Sequence, residues 1–330
     1  MIEQRGNSEM KRAIRLGIVG CAEGGHGRIW ADLLSRPEGA KFGMTPANVW
    51  DADPQAAAAT AAAVGATRVS EPWEAGEQVE GILITELFPE RYLELGRPFL
   101  EAGKRVFFNR PFAGSMEQAT EIVRLARRYH AKIYSASALF HTAAARRAQR
   151  QLADIGPLAV FTVTGPTDHL VFYLPHAIAC LTSVLGTGIS RVQAVSLDRT
   201  PEHPHLASAP VVVYVEYGAD APVGPARGVM QMIGPGASWY GFRLKMFGAE
   251  REGKEIRFEV SYDSLLRHMA RFFRTGVEPV PHQVLLEKTA VFYAALRSAE
   301  QGGRPVEVSE MIAASGRMAD APALPKGIGA

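Results

Sequence analysis

The most constraining feature of the sequence is an alternation of short apolar runs with amphipathic stretches between residues 13 and 138. The apolar runs are AIRLGIV (13–19), ANVWD (47–51), GILIT (81–85), RVFFN (105–109) and KIYSASA (132–138). Each run has the length of a strand, and each intervening stretch carries apolar residues at helical spacing. This alternation predicts βα units and a parallel sheet that is covered by helices on both faces.

The second half of the chain has a different pattern, because strand-like runs follow one another with few helices between them. These runs are AVFTVTG (159–165), RVQAVSLD (191–198), PVVVYVEYG (210–218), ARGVMQMIG (226–234), FRLKMFG (242–248) and EIRFEVSY (255–262). Helices are expected around residues 175–185, 265–276 and 282–302. The chain of 330 residues is therefore expected to form two domains. An α/β Rossmann-type domain (1–138) precedes an α+β domain (139–330) with a large, mostly antiparallel open sheet.

Composition argues against several classes of protein. The 36 basic and 34 acidic residues nearly cancel, whereas a nucleic-acid-binding protein would show an excess of basic charge. We expect no membrane span, since no run of about 18 uncharged apolar residues occurs. The polar opening segment lacks the apolar stretch of a signal peptide, which makes the cytoplasm the expected location. With only Cys21 and Cys180, and a His203-x-His205 pair in a proline-rich loop, no metal site is expected.

The first apolar run leads into a glycine-rich loop, residues 20–27, and a helix follows. In this context glycines let the backbone approach a pyrophosphate at a helix N-terminus. Read as G-x-G-x-x-G, the loop has alanine in the middle place and a negative charge at Glu23. The loop residues expected to contact a dinucleotide are Gly20, Ala22, Gly24 and Gly25. Asp51 ends the second run, where a carboxylate would hold the ribose 2′-hydroxyl and favour NAD over NADP. The alternative is a tight turn that binds nothing.

The sequence resembles the glucose–fructose oxidoreductase and inositol dehydrogenase family, Gfo/Idh/MocA, over nearly its whole length. The resemblance is carried by LGIVGCAEGGHGRIWADLL (16–34), VWDADPQ (49–55), EAGKRVFFNRPFAGSMEQA (101–119) and HMARFFRTGVEPVPHQVLLEKTAVFYAALRSAEQGGRPVEV (268–308). This family comprises NAD- or NADP-dependent dehydrogenases, reductases and isomerases of sugars, inositols and related compounds. Its members are commonly dimers or tetramers that pack through the open faces of their C-terminal sheets. The resemblance thus implies a nicotinamide cofactor, a carbohydrate-like substrate and a homodimer or homotetramer.

The family motif Glu-Lys-Pro appears here as Asn109-Arg110-Pro111. In the family this lysine lies beside the nicotinamide and assists proton movement at the reacting hydroxyl. Arg110 keeps the positive charge, but the pKa of a guanidinium is too high for it to act as a proton relay. Arg110 is therefore expected to orient the substrate, and it is grouped with Asn109 and with Thr85, at the end of the third run, as a cofactor contact.

A second family signature, Asp-x-x-x-His, is fitted by His176, with Phe172 in the aspartate position. His176 is the first candidate for a general acid–base, because imidazole titrates near neutral pH. The alternative role is a hydrogen-bonded core histidine. The resemblance places Pro175 at the first position of a helix. Other candidates for proton transfer in the same cleft are Asp168, which could replace the missing carboxylate or only cap a turn, His169, Tyr173 and His141.

Together these features predict an NAD(P)-dependent oxidoreductase-like protein that acts on CH–OH groups of a sugar, polyol or related small molecule. Because Arg110 and Phe172 replace the family's lysine and aspartate, two alternatives stay open. One is a sugar epimerase or lyase without net oxidation. The other is a catalytically silent family member that binds a nucleotide or sugar.

Overall fold

The computed structural model describes residues 13–22, 26–167, 170–196, 210–234, 240–260 and 262–319. Within them, the first sheet has six strands: β1 (Ile14–Val19), β2 (Met44–Trp50), β3 (Thr67–Arg68), β4 (Gly81–Ile84), β5 (Arg105–Phe108) and β6 (Lys132–Tyr134). Their order is β3-β2-β1-β4-β5-β6, and every pairing is parallel. This is the strand order of a doubly wound dinucleotide-binding sheet, whose ligand site lies at the carboxyl ends of the strands.

Helices connect these strands, and local sequence sets their limits. They are α1 (His26–Ser35), α2 (Pro37–Ala40), α3 (Pro54–Val64), α4 (Tyr92–Glu101) and α5 (Met116–Arg128). The carboxylate of Asp53 accepts the amide hydrogen of Gln55 at the start of α3, and the hydroxyl of Ser115 caps α5 in the same way. Gly65 ends α3 at a φ of 68°, a conformation that favours glycine.

The second sheet has seven strands within the described residues. They are β7 (Leu158–Gly165), β8 (Ile189–Ser196), β9 (Val211–Tyr217), β10 (Arg227–Met232), β11 (Phe242–Gly248), β12 (Ile256–Phe258) and β13 (Val306–Glu307). The order is β12-β11-β7-β10-β9-β8-β13, and only the central β7–β10 pair is parallel. The helices of this half are α6 (Ala143–Asp154), α7 (Leu170–Leu185), α8 (Tyr262–Thr275), α9 (His282–Glu300) and α10 (Val308–Ala319). The predicted fold class is confirmed, although β13 and α10 were not anticipated.

One face of the second sheet is covered and the other is open. Helices α7 and α9 pack on the covered face, where inward residues of β7 such as Phe161 and Val163 are fully buried. Side chains on the other face alternate with them and are exposed. This open face carries apolar residues between charged pairs, and its exposed apolar strand residues are Val160, Val195, Val212 and Phe247.

The chain forms two apolar cores. Helix α8, near the C-terminal end of the described chain, packs into the first of them. Leu266, Phe272 and Phe273 of α8 are buried in the same cluster as the strands of the first sheet. The second core joins the covered face of the second sheet to α7 and α9. The division of the chain at residue 138 stays a prediction, since residues on both sides of that point complete the first core.

No helix in the described part of the chain is both long enough and apolar enough to cross a membrane.

Candidate active site

The turn between β1 and α1 brings the helix unusually close to the strand. Gly20 has a φ of 93°, and a Cβ atom there would lie 2.4 Å from the backbone of Glu86. A Cβ atom at Gly27, in the first turn of α1, would lie 1.8 Å from the carbonyl oxygen of Gly20. Gly27 is therefore the residue that allows close helix–strand packing, a role that the sequence prediction did not give it. Gly24 and Gly25, which were expected to contact the dinucleotide, lie outside the described residues, as does Glu23.

Asp51 and Thr85 hold this turn in place. The Asp51 carboxylate accepts hydrogen bonds from the backbone amides of Cys21 and, at 2.8 Å, Asp53. Its side chain stands at the carboxyl end of β2, where a ribose would be bound, and the carboxylate oxygens retain further acceptor capacity. Thr85 is fully buried and donates its hydroxyl hydrogen to the carbonyl of Gly20 at 2.6 Å, so it shapes the loop from behind. Ala22 is half-buried in the same turn.

Beside this turn, Arg110, His26 and Asn109 form a hydrogen-bonded group. Nη2 of Arg110 lies 3.0 Å from Nε2 of His26, and the side-chain amide of Asn109 lies 2.9 Å from Nδ1. Arginine can only donate, so Nε2 of His26 accepts the hydrogen bond from Arg110. Burial and the Arg110 charge lower the pKa of His26 to about 4, which keeps this imidazole neutral.

Arg110 itself is a cation without an anionic partner. Its Nη1 is buried and has no hydrogen-bond partner among the described residues. Burial lowers the pKa of Arg110 to about 10, and the electrostatic interactions that oppose this shift come from tyrosines. No described carboxylate forms an ion pair with Arg110. A buried, uncompensated guanidinium strongly favours negative charge nearby, whether on a ligand or on an oxygen that becomes negative during a reaction.

His176 lies close to this group and has a partner that the sequence did not suggest. Nδ1 of His176 lies 2.6 Å from Oγ of Ser137, which follows β6 and also accepts the amide hydrogen of Leu139. Burial, followed by the charges of Arg110 and His26, holds the pKa of His176 well below its ordinary value. At neutral pH the His176 ring is therefore uncharged and able to accept a proton. We call His26, Arg110, Ser137 and His176 the cleft cluster.

Three members of the cleft cluster, His26, Arg110 and His176, line a cavity of about 820 Å³, within the usual size of a small-molecule site. From the first half, His26 and Arg110 line this cleft cavity, and the second half contributes residues of α7, β11 and the segment that follows β12. The lining residues of α7 are Phe172, Tyr173 and His176. The cavity thus lies between the two sheets, at the carboxyl end of the parallel sheet, where ligands of such folds bind.

The structure places the remaining sequence candidates as follows. Tyr173 lines the cleft cavity, and its ring centroid lies 6.4 Å from that of His176. Phe172, which stands in the aspartate position of the family signature, lines the same cavity. Asp168 and His169 lie outside the described residues, and so do His203 and His205. The role of Asp168 as the carboxylate near His176 therefore stays a prediction.

Two expectations about this region were wrong. Pro175 is not at the first helical position, because α7 begins at Leu170 and Pro175 lies inside it. The apolar residues before Pro175, such as Leu170 and Leu174, are buried and extend the helix N-terminally. His141 does not line the cleft cavity, because its ring stacks on His268 at a centroid distance of 3.9 Å.

Sequence reasoning missed His26 and Ser137 as members of the site. His26 could have been found from the spacing of Gly24 and Gly27, which makes His26 the residue just before the helix-packing glycine. Ser137 had a weaker signal, namely a hydroxyl residue just after the last predicted strand of the first sheet.

The protein is a two-sheet protein with a turn of the type that binds dinucleotides. Its cleft contains a neutral histidine and an arginine that forms no ion pair. Residues 14–137 match the model of the family described as "Oxidoreductase family, NAD-binding Rossmann fold", which is the Gfo/Idh/MocA family. The first half of the chain is therefore similar to the nucleotide-binding domain of this family, and the fold of the whole chain is similar to that of solved oxidoreductases. No curated protein matches the chain by sequence.

Solved structures share the fold at low sequence identity. The myo-inositol dehydrogenase of Lactobacillus casei, solved with NAD(H) and myo-inositol, superposes with a TM-score of 0.72 at 15% identity, covering 89% of this chain and 96% of that one. The WlbA dehydrogenase of Bordetella pertussis, solved with NADH and UDP-GlcNAcA, has a TM-score of 0.72 at 15% identity and covers 90% and 99%. An oxidoreductase of Thermotoga maritima reaches a TM-score of 0.70 at 20% identity and covers 91% and 100%.

Proposed function

We propose that this protein is an NAD-dependent oxidoreductase that interconverts a hydroxyl and a carbonyl group on a sugar, polyol or related small molecule. The observation that carries the proposal is the cleft cluster, in which a neutral histidine and an unpaired arginine face one cavity at the carboxyl end of the parallel sheet. Structural neighbours that were solved with a nicotinamide cofactor and inositol or a sugar nucleotide support the same class of substrate.

The residues at the β1–α1 turn fit a dinucleotide. Gly20 and Gly27 leave no room for side chains, so the backbone forms a narrow turn ahead of α1, and the partial positive charge of that helix end favours phosphate. Asp51 stands at the end of β2, where a carboxylate favours the free ribose hydroxyls of NAD over the 2′-phosphate of NADP. When bound, NAD would accept a hydride from the hydroxyl-bearing carbon or return one to the carbonyl carbon.

His176 is assigned the proton that accompanies this hydride. With Nδ1 donating to Ser137, Nε2 keeps its lone pair and takes the proton from the substrate hydroxyl as the carbonyl forms. Ser137 thereby takes the orienting part that an aspartate has in the family signature. In the reverse direction protonated Nε2 gives the proton to the oxygen, and the lowered pKa makes that transfer favourable.

Arg110 stabilises the oxygen rather than exchanging its proton. During hydride transfer the substrate oxygen carries partial negative charge, and a fixed guanidinium nearby lowers the energy of that state. The hydrogen bond to His26 holds the guanidinium at the edge of the cleft cavity. This division of labour, with His176 for the proton and Arg110 for the charge, replaces the single lysine of the family motif.

We propose further that the protein forms a homodimer or homotetramer through the open face of the second sheet. Val160, Val195 and Val212 are each about half exposed on that face, at 46%, 54% and 45%. Val195 and Val212 lie opposite each other on neighbouring strands, and exposed apolar residues grouped on a sheet face are typical of an association surface.

Titration with NADH tests the proposal directly. We expect saturable binding, seen by nicotinamide fluorescence and energy transfer from tryptophan, and weaker binding of NADPH. Gly27→Ala should weaken NADH binding because the added methyl group pushes α1 away from Gly20. Gly218→Ala, where a Cβ atom would make only ordinary contacts of 3.7 Å and longer, is the matched control. If neither cofactor binds at millimolar concentration, the oxidoreductase proposal is wrong. If NADH binds, the next measurement is the NAD⁺-dependent oxidation of a panel of sugars and polyols.

A further inference from the structure

Arg110 differs from an ordinary surface arginine, because part of its guanidinium is shielded from water and no carboxylate neutralises it. Its Nη1 is buried and has no hydrogen-bond partner among the described residues. Exposed arginines such as Arg127 and Arg128 need no counter-charge, since water solvates them. Arg243 also has a buried nitrogen without a partner, but its guanidinium binds the Glu255 carboxylate at 2.9 Å. The charge of Arg110 therefore favours an anion that the described part of the chain does not supply.

The acidic groups in this region are paired elsewhere or face solvent. The Glu86 carboxylate, at the end of β4, forms an ion pair with Arg91 at 3.3 Å. Glu259 is the carboxylate that the described residues contribute to the wall of the cleft cavity, and it is exposed and forms no ion pair with Arg110. The electrostatic interactions that raise the pKa of Arg110 come from tyrosines, against the larger lowering by burial.

Arg110 lines two cavities, and only one of them has room for a ligand. The inner cavity, which Ser135 and Thr289 also line, has a volume of about 30 Å³, space for about two water molecules. A water molecule there would accept a hydrogen bond from Arg110 but would not neutralise its charge. The cleft cavity, of about 820 Å³, is large enough for a small-molecule substrate. An anion that neutralises Arg110 therefore belongs to a ligand in the cleft cavity.

His176 indicates where on that ligand the anionic group lies. His176 lines the same cavity, and burial followed by the charge of Arg110 lowers its pKa, so the two side chains are close to each other. In the proposed function Nε2 of His176 takes the proton of the reacting hydroxyl. A group bound to Arg110 must then lie beside that hydroxyl. A carboxylate on the neighbouring carbon meets this condition, because its oxygens and the hydroxyl oxygen can lie on the same side of the molecule.

We propose that the substrate is a 2-hydroxy acid of the aldonic type, whose carboxylate binds Arg110 while its 2-hydroxyl faces Nε2 of His176. This inference rests on the proposed function and narrows its substrate class. A carboxylate carries the single negative charge that one guanidinium neutralises, and it accepts paired hydrogen bonds from the planar guanidinium. Arginine has five N–H donors and His26 takes one of them, so donors remain for both the carboxylate and the hydroxyl oxygen.

The reaction leaves the carboxylate unchanged. A hydride leaves C2 for NAD⁺, and the proton of the 2-hydroxyl passes to Nε2 of His176 as the C2–O double bond forms. The products are a 2-oxo acid, NADH and the proton held by His176. Arg110 binds the carboxylate before and after this step, so it orients C2 throughout.

The first test compares each acid with its amide, which keeps the size and the hydroxyl groups of the acid but lacks the charge. Acids from lactate to the hexonates, in both configurations at C2, are assayed with NAD⁺ beside their amides. We expect kcat/KM to be larger for the best acid than for its amide by roughly tenfold to 100-fold, because hydrogen bonds to charged groups are the stronger ones. An amide oxidised as efficiently as the best acid refutes the inference, and this comparison needs no variant.

The second test asks whether Arg110 recognises the carboxylate. In Arg110→Met the ratio of kcat/KM for acid and amide should fall to about one, because the acid loses its counter-charge and the amide had none to lose. A purely structural role of Arg110 would lower both values equally and keep the ratio. The control is Arg127→Met, the same substitution at an exposed position of α5, which should keep the wild-type ratio. Thermal unfolding checks that both variants are folded.

Calorimetry separates this inference from the proposed function, with the acids titrated into the protein with and without saturating NADH. We expect binding that weakens by roughly tenfold or more in Arg110→Met and is unchanged in Arg127→Met. Without NADH binding, but with acid binding that is lost in Arg110→Met, the oxidoreductase proposal fails and the carboxylate site stands. With NADH binding but no acid binding, or with equal acid affinity in the wild type and Arg110→Met, the carboxylate site is refuted and the oxidoreductase proposal stands.

Discussion

Two groups of histidines and cations lie on either side of the segment that follows β6. They differ in whether their side chains reach the cleft cavity. The cleft cluster consists of His26, Arg110, Ser137 and His176. The second group, which we call the stacked cluster, consists of Phe140, His141, His268 and Lys288. In both groups burial lowers the pKa values of basic residues: that of His141 falls to about 3 and that of Lys288 to about 8. Only the cleft cluster contributes residues to the cleft cavity.

The contacts of the stacked cluster are structural. The His141 and His268 rings stack with an angle of 9° between their planes, and Nδ1 of His268 donates to the carbonyl of Ser264 at 2.7 Å. The Lys288 ammonium lies 4.8 Å from the centre of the Phe140 ring, a cation–π contact. A lowered histidine pKa therefore indicates only that the ring is buried. Access to a cavity distinguishes a reactive histidine from one that only packs against its neighbours.

The largest expected effect separates His176 from His268. His176→Asn should lower kcat by about 10²–10⁴-fold with little change in NADH binding, because it removes the group that exchanges the substrate proton. His268→Gln should leave kcat within about twofold and lower only the thermal stability, since it removes the stacked ring. Steady-state kinetics and thermal unfolding of both variants check the pair. Equal losses of kcat in the two variants would contradict the comparison.

The second-largest expected effect is a difference in kcat/KM between substitutions at Arg110 and at Lys288. Arg110→Met should lower kcat/KM by about 10–100-fold, because a fixed positive charge near the substrate oxygen is lost. Lys288→Met, which removes a cation from the stacked cluster, should leave kcat/KM within about twofold.

Arg110→Lys sharpens this test, because it restores the residue type of the family motif. An ammonium titrates more readily than a guanidinium when it is buried, so this variant should retain activity and acquire a new dependence of kcat/KM on pH in the alkaline range. A pH profile identical to that of the wild type would show that the introduced ammonium stays charged over this range, which would contradict the expectation.

The smallest effect concerns stability at acid pH. His26 and His141 have pKa values of about 4 and 3 in the folded protein, below the ordinary value of 6.5. Between those values the unfolded chain binds more protons than the folded protein, so the free energy of unfolding must decrease as pH falls below about 6.5. His141→Phe keeps a ring in the stack and should reduce that loss between pH 7 and pH 5 by on the order of 1 kcal/mol.

Denaturant unfolding at the two pH values measures this difference. The control is His130→Asn, at an exposed position with a φ of 56° that asparagine tolerates, and its loss on acidification should equal that of the wild type. A loss in His141→Phe as large as in the wild type would mean that the stacked cluster does not hold a neutral imidazole.

Much of the fold could be predicted from the sequence because each half of the chain has one dominant pattern of apolar residues. The runs that became β1, β2, β4 and β5 are flanked by stretches with helical spacing, and in the second half the predicted run at 242–248 coincides with β11. The short pieces were missed because they contain too few residues to show a period. Examples are β3 and β13, with two residues each.

The site was less predictable, because it depends on contacts between residues far apart in the sequence. His176 was selected from a motif, but its hydrogen bond to Ser137 spans 39 residues and that of Arg110 to His26 spans 84. The limits of α7 show the same difficulty. A proline after a loop suggests a helix start, whereas burial of Leu170 and Leu174 extends the helix beyond it.

The late return of α8 to the first core bears on how the chain acquires its structure during synthesis. Phe272 and Phe273 leave the ribosome more than a hundred residues after β6, yet they fill the same apolar cluster as β1 and β5. The parallel sheet must therefore wait, with apolar surface uncovered, until most of the chain has been made. A fragment that ends at residue 138 should bind hydrophobic dyes and aggregate, and chaperones that shield nascent apolar surface would act during this interval.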